Sequence, residues 1–216
     1  MRNTEKDELE MAQRRERMLS EGFRFFSEKG IEAVSMQDVA NACNLGVATL
    51  YRYYNTKLAL VIAIGVRQWE EYGAFVRTLR AKKNADGMTA AEEFAFSLDF
   101  YIDLYRNHSD LLRFNQNFNN FVKYEGATKE QMAPYVSAVG AFARYFYTIY
   151  EKAATDGTMR TDLPVDKMFT STAHIMLAVA VRYAQGLIYS GENTEDLTEE
   201  FLLLKHMILK EFTVEK

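Results

Sequence analysis

Residues 44–57 read NLGVATLYRYYNTK, a segment holding one guanidinium, one ammonium, three phenols and two threonine hydroxyls. All of these groups donate hydrogen bonds, and two are cations. Such a set is suited to gripping a surface rich in anionic oxygen. On a helix of 3.6 residues per turn, Leu50 and Tyr54 share one side, with Val47 nearby. Ala48 and Arg52 fall opposite, Thr49 and Tyr51 lie on the flanks, and Tyr53 is intermediate. The Leu50 side is the one to bury. The other side then offers a small residue, a cation, a hydroxyl and phenols, which fits the DNA major groove. Arg52 can bond a guanine edge or a phosphate, Thr49 and the tyrosines can donate to phosphates, and Ala48 and Val47 can touch a thymine methyl. Lys57 falls in the first turn of the following helix, where free backbone N–H groups also favour an anion. The alternative from this face alone is an ordinary short helix whose tyrosines are half-buried with wet hydroxyls.

Other chemistry is poorly supplied. His108, His174 and His206 each lack a second ligand at helical spacing, which argues against a metal site. The sequence holds no glycine-rich phosphate loop, nucleophile elbow or paired carboxylate motif, so neither catalysis nor a cofactor is expected. A lone Cys43 allows no internal disulfide and reads as a small buried hydrophobe.

The elements that must carry this segment are helices. Two prolines in 216 residues is too few for a strand-and-turn protein, while 48% hydrophobic and 26% charged residues suit a packed globular chain. The longest apolar run, LALVIAIGV (58–66), is too short for a bilayer. The charged start MRNTEKDELEMAQRRER has no signal-peptide core, so a cytoplasmic chain without a membrane partner is expected. The net charge is −4; residues 1–60 hold nine basic and nine acidic residues, so the acid excess lies after them.

A first helix is expected over 9–29, with Gly30 as its left-handed cap. Ser35 caps a short second helix and Asp38 sits where a carboxylate bonds back to the cap. Asn44 tolerates the left-handed turn that follows. A third helix spans about 47–53, and Asn55 or Thr56 caps a fourth that runs towards Arg80. After the break KKNADGMT (82–89), helices are expected at about 90–107, 109–123, 130–155, 165–190 and 195–213. The fold class is therefore all-α with about nine helices: three short ones, a connecting fourth, then a larger bundle.

The run IEAVSMQDVANACNLGVATLYRYYNTKLALVIAI resembles the DNA-binding domain of TetR/AcrR-family transcriptional regulators. Gly30, Ser35, Val39–Ala40, Thr49–Leu50–Tyr51, Tyr53–Tyr54, Lys57 and Leu58 stand where that family's pattern places its caps, core and contacts. Asn44 replaces the usual turn glycine, Gly46 a usual Ser or Thr, Val47 an often polar residue and Tyr54 a usual Phe. The resemblance implies phosphate contacts by Thr49, Tyr53 and Lys57, a groove-edge contact by Tyr51, and a backbone or base contact by Gln37. It also implies that Arg14 and Arg15, with Arg17, reach the DNA backbone or minor groove; the alternative for these three is a solvated charged face interleaved with Glu10 and Glu16. An N-terminal helix-turn-helix domain over 1–56 is expected, followed by an effector-binding and dimerisation domain over 57–216.

The later helices carry no motif and are read from pattern. The stretch 169–189 is apolar on more than one side, and 199–212 is similarly apolar, so each needs more than one neighbour. A homodimer interface is expected there, through Ala173, Met176, Ala180, Ala184, Phe201, Leu204 and Ile208; the competing reading is an internal core. Trp69, Phe94, Tyr101, Tyr105, Phe114, Phe118, Phe121 and Tyr145 are expected to line a pocket for an apolar or aromatic small-molecule effector, although any one of them taken singly reads as core. Together these readings describe a dimeric, ligand-responsive repressor of a palindromic double-stranded DNA operator, with half-sites about one helical turn, ~34–36 Å, apart. The alternative is an all-helical small-molecule-binding protein that does not bind DNA.

Overall fold

A computed structural model describes residues 4–186 and 197–214. Among them are nine α-helices and one 3₁₀ turn: α1 (Thr4–Lys29), α2 (Met36–Ala42), α3 (Val47–Tyr53), α4 (Lys57–Lys82), the 3₁₀ turn Ala85–Gly87, α5 (Ala90–Asn107), α6 (Ser109–Tyr124), α7 (Lys129–Asp156), α8 (Val165–Ala184) and α9 (Thr198–Phe212). The described residues form no strand beyond an isolated bridge between Met159 and Thr213. The first helix begins five residues earlier than its apolar stripe suggests; residues 6–10 bury no side chain that would mark it. The eighth helix, expected to reach 190, ends at Ala184, where Gly186 takes the left-handed φ of 84° that breaks it; the expected start of the ninth at 195 lies outside the described residues.

The described chain divides into two compact units. One holds Met1–Glu70 with Arg113–Ala138; the other holds Glu71–Leu112 with Val139–Lys216. In the first unit α1 packs on α2 and α2 on α3. Phe26, Ile31, Val39, Ala40, Cys43 and Leu50 close the core between them. Local chemistry fixes the turns. Gly30 ends α1 with φ 85°, and its N–H donates to Phe26 O at 3.1 Å. Ser35 caps α2: its Oγ accepts from Asp38 N at 3.2 Å, and Asp38 Oδ2 accepts from Ser35 N at 2.8 Å. Asn44 takes φ 55° between α2 and α3, a conformation open to few residues besides glycine and asparagine. Gly46 stands at the N-cap of α3 without any side-chain bond, and Thr56 Oγ1 accepts from Ala59 N at the start of α4.

In the second unit α5 packs on both α8 and α9, which also pack on each other. Phe94 meets Phe146 and Phe212 edge-on, and Tyr105, Tyr183 and Phe201 form a ring cluster. Glu93, almost fully buried on α5, is compensated by Arg80 at 2.8 Å and Lys152 at 2.5 Å. Lys152 also donates to Met88 O at 3.0 Å, which fastens the 3₁₀ turn to α7.

Candidate nucleic-acid interface

The helical projection of residues 47–54 matches the faces of α3. Leu50 and Tyr54 are buried, at 0% and 5% exposure. Ala48 and Arg52 are exposed opposite them, Val47, Thr49 and Tyr53 are half-buried, and the large Tyr51 side chain is 46% exposed. A seven-residue helix has too few hydrogen bonds to stand alone, so its geometry comes from packing. Arg15 of α1 contributes: its Nε donates to Tyr54 Oη at 3.3 Å and its guanidinium lies 5.9 Å from the ring centre. Burial pushes the Tyr54 phenol up, opposed by the Arg15 hydrogen bond and charge, so the ring stays neutral and serves as a packed anchor.

Gln37 is exposed on α2, and its Nε2 donates to Asn41 Oδ1 at 2.7 Å. The two amides therefore present themselves as a pair, a partnership at i and i+4 that the sequence reading passed over. Arg14 and Arg15 are both exposed, but Arg14 is engaged by Glu10 at 3.4 Å and Arg15 by Tyr54. Arg14 keeps a mobile surface pairing worth little, whereas Arg15 belongs to the frame that holds α3.

Lys57 stands in the first turn of α4, as expected, and is half-buried there. Its Nζ donates to Glu32 O at 3.5 Å and lies 5.4 Å from the Phe121 ring centre and 6.0 Å from that of Phe26. Burial draws its pKa below the ordinary lysine value, while the charges of Glu125, Glu32 and Asp38 act in the opposite direction.

The expected pocket aromatics are divided between the two units. In the first, Trp69 Nε1 donates to Tyr135 Oη at 3.1 Å, Tyr135 Oη donates to Asn115 Oδ1 at 2.6 Å, and Phe118 stacks on Tyr135 with centroids 4.3 Å apart. Burial pushes the Tyr135 phenol up to about 12. Phe114 and Phe118 are core, and Phe121 is the ring under Lys57. In the second unit Phe94 is core and Tyr105 is engaged by Leu197 N at 3.2 Å and by the Phe201 ring. Tyr101 is half-buried, with burial driving its phenol well above the usual range. Tyr145 lies beneath the Arg80 guanidinium, 3.8 Å from the ring centre. Its buried hydroxyl faces Glu93 and Arg80, and burial drives the phenol well above its usual range. A groove of about 540 Å³ in the first unit is lined by Leu19, Ile62, Ala63, Val66, Glu16 and Arg67 among others, and by none of the eight expected aromatics.

The interface residues also need a correction. Ala173, Met176, Ala180, Phe201 and Ile208 are buried inside the single chain, and Ala184 and Leu204 are half-buried. The second neighbour that the sequence demanded for these helices is α5 of the same chain. The large apolar residues that α8 and α9 leave exposed are Ile175, Leu202, Leu203 and Met207.

Residues 18–64 match the family model described as bacterial regulatory proteins, tetR family. Over 154 residues, 71% of this chain and 75% of the relative, the sequence is 26% identical to the HTH-type transcriptional regulator SAR2658 of Staphylococcus aureus (strain MRSA252). Over 58 residues, 27% of each chain, it is 38% identical to the HTH-type transcriptional repressor KstR of Rhodococcus jostii (strain RHA1). A crystal structure of a transcriptional regulator from Saccharomonospora viridis in complex with choline superposes with a TM-score of 0.72 at 16% identity, covering 94% of this chain and all of the other. No helix among the described residues is long and apolar enough to cross a membrane.

Proposed function

This chain belongs to the tetR family of bacterial regulatory proteins, and from that premise we propose that it is a ligand-responsive transcriptional repressor that binds its operator as a homodimer. The observation that carries the proposal is the outward face of α3. Tyr51 and Arg52 stand exposed, with Thr49 and Tyr53 on the flanks, while Leu50 and Tyr54 seal the opposite side. A short rod so oriented is free to enter a major groove. We assign base-edge and groove contacts to Ala48, Tyr51, Arg52 and Val47, and phosphate contacts to Thr49, Tyr53, Lys57 and Gln37. Arg15 acts mainly through Tyr54, and Arg14 approaches the DNA backbone.

We assign DNA binding to residues 1–56, and effector binding and dimerisation to 57–216. Tyr145 and Tyr101, each an apolar ring with a polar tip, are the aromatic residues we assign to an apolar or aromatic effector. For the dimer, the exposed faces of α8 and α9 replace the buried one: Ser171, Ile175 and Ala178 recur at i, i+4 and i+7, as do Leu203, Met207 and Lys210. An effector shifts DNA affinity only to the extent that it prefers one of two dimer states. The site of action is the cytoplasm, where the operator lies, and no catalytic role is assigned.

A salt-titrated binding assay on operator duplexes selected from random DNA tests the reading. Wild-type protein is expected to bind a palindromic site with a steep salt dependence. Tyr53→Ala is expected to weaken binding to all sequences and to leave the salt slope nearly unchanged, because a neutral phenol displaces no counterion. Arg52→Ala is expected to relax sequence preference, costing about 1–3 kcal/mol at its base position. A chain that selects no sequence, or whose variants bind like wild type, would be the small-molecule-binding protein instead.

A further inference from the structure

Among the expected DNA contacts, Lys57 has its charge held by two ring faces and a backbone carbonyl. Its ammonium lies where three parts of the first unit converge: Phe26 in the last turn of α1, the Glu32 carbonyl in the α1–α2 turn, and Phe121 near the end of α6. Phe26 and Phe121 are both buried, at 0% and 5% exposure, so their rings are fixed platforms rather than mobile surface groups. Glu125, Glu32 and Asp38 lie close enough to favour the cation by charge. Aromatic faces attract an ammonium through their quadrupole, and partial desolvation strengthens that attraction. A lysine carries a single charge on a flexible stem, so Nζ can serve this dock or a DNA phosphate, but not both fully.

We propose that Phe121, with Phe26 and the Glu32 carbonyl, forms an internal dock that competes with DNA phosphate for Lys57. Phe121 is thus a positioning residue for DNA binding, although it touches no DNA. The proposal rests on the DNA-binding reading above and adds a means of tuning it. Because Phe121 rides on α6, a shift of α6 towards Lys57 holds the ammonium back, and a shift away releases it. Affinity then changes with no movement of α3.

The test is a double-mutant cycle on the full chain. Phe121→Leu, Lys57→Met and the pair are titrated against a fluorescein-labelled duplex of arbitrary sequence at low salt, since phosphate contacts need no operator. Phe121→Leu is expected to bind about two- to fivefold more tightly than wild type, as the loss of a cation–ring contact of this kind implies. Lys57→Met is expected to bind more weakly, and in that background Phe121→Leu is expected to change nothing. If packing around leucine fails, a pentafluorophenyl analogue at 121 reverses the ring quadrupole at nearly the same shape and is expected to tighten binding likewise. A folded Phe121→Leu or pentafluorophenyl variant that binds no tighter than wild type overturns the dock. Equal tightening with and without Lys57 overturns it too. A wild-type protein that binds no duplex at all overturns the functional reading, and the dock falls with it.

Discussion

At the scale of single residues, two glycines show how differently one missing methyl group is used. A Cβ at Gly65 of α4 would stand 3.0 Å from two ring atoms of Tyr135 and 3.1 Å from Phe118 Cε2. Those rings are stacked on each other, and Tyr135 is further tied to Trp69 and Asn115, so neither can yield. Gly65→Ala is expected to cost about 1–3 kcal/mol despite alanine's better helix propensity. At Gly22 of α1 the closest atom to an added Cβ is Ile64 Cδ1 at 2.7 Å, the free end of a side chain that can rotate. Gly22→Ala should therefore fall within about 1 kcal/mol of wild type. Urea unfolding of the two variants decides the matter, and a Gly65→Ala protein as stable as Gly22→Ala would mean the Tyr135–Phe118 stack is not rigid. The inward and outward sides of α3 were legible in the sequence because helical geometry alone sorts Leu50 from Arg52. Lys57 was not, because Phe26 and Phe121 lie on other helices and no local spacing links them to it. The same holds for Trp69, whose indole serves a hydrogen-bond chain to Tyr135 and Asn115 rather than a ligand.

At the scale of elements, the short helices of the first unit depend on their ends. Local signals made these ends readable in advance: Gly30, Ser35 with Asp38, and Asn44 act within four residues of themselves, inside the window that a sequence displays. Ser35→Ala removes the acceptor for Asp38 N and is expected to cost about 1 kcal/mol. The partner carboxylate gives a pH signature. Hydrogen bonds from the Ser35 hydroxyl and N–H, aided by Lys29 and Lys57, hold the Asp38 carboxyl below its usual range. A carboxyl whose folded pKa is depressed contributes stability that is complete above its unfolded value of about 3.9 and is lost as pH falls through the folded one. Thermal melts should therefore show Ser35→Ala less stable than wild type near neutral pH, with the gap narrowing as the solution is acidified below that value. A gap that stays constant with pH would detach Asp38 from the cap. Helices α8 and α9 gave no such local signal. Their sequence announced two neighbours each, but an apolar stripe reads the same whether α5 or another protomer covers it.

At the scale of the whole molecule, that ambiguity becomes a question of assembly. α5 satisfies the inward stripe of α8 and α9, so the outward residues are what remain for a second subunit. Ile175, Leu202, Leu203 and Met207 are between 43% and 61% exposed in the single chain, an apolar surface that a lone soluble protomer has no reason to keep. Leu203→Glu combined with Met207→Glu puts two charges on that surface without touching the core. Sedimentation should find this variant monomeric at concentrations where wild type is a dimer, with unchanged helical circular dichroism. Its affinity for a palindromic duplex should fall by about a hundredfold or more, since each half-site must then be held without the effective concentration that linkage provides. Phe201→Ala sharpens the contrast. Phe201 is fully buried among Tyr105 and Tyr183, so its loss should cost about 3–5 kcal/mol of folding stability and leave the outward surface intact. If the double-glutamate protein stayed dimeric while Phe201→Ala fell apart into folded monomers, the inward face would be the interface and α5 would have to leave it on assembly. The order of effects follows from burial alone: charges on an exposed apolar face act on association first, and a cavity in a filled core acts on folding first.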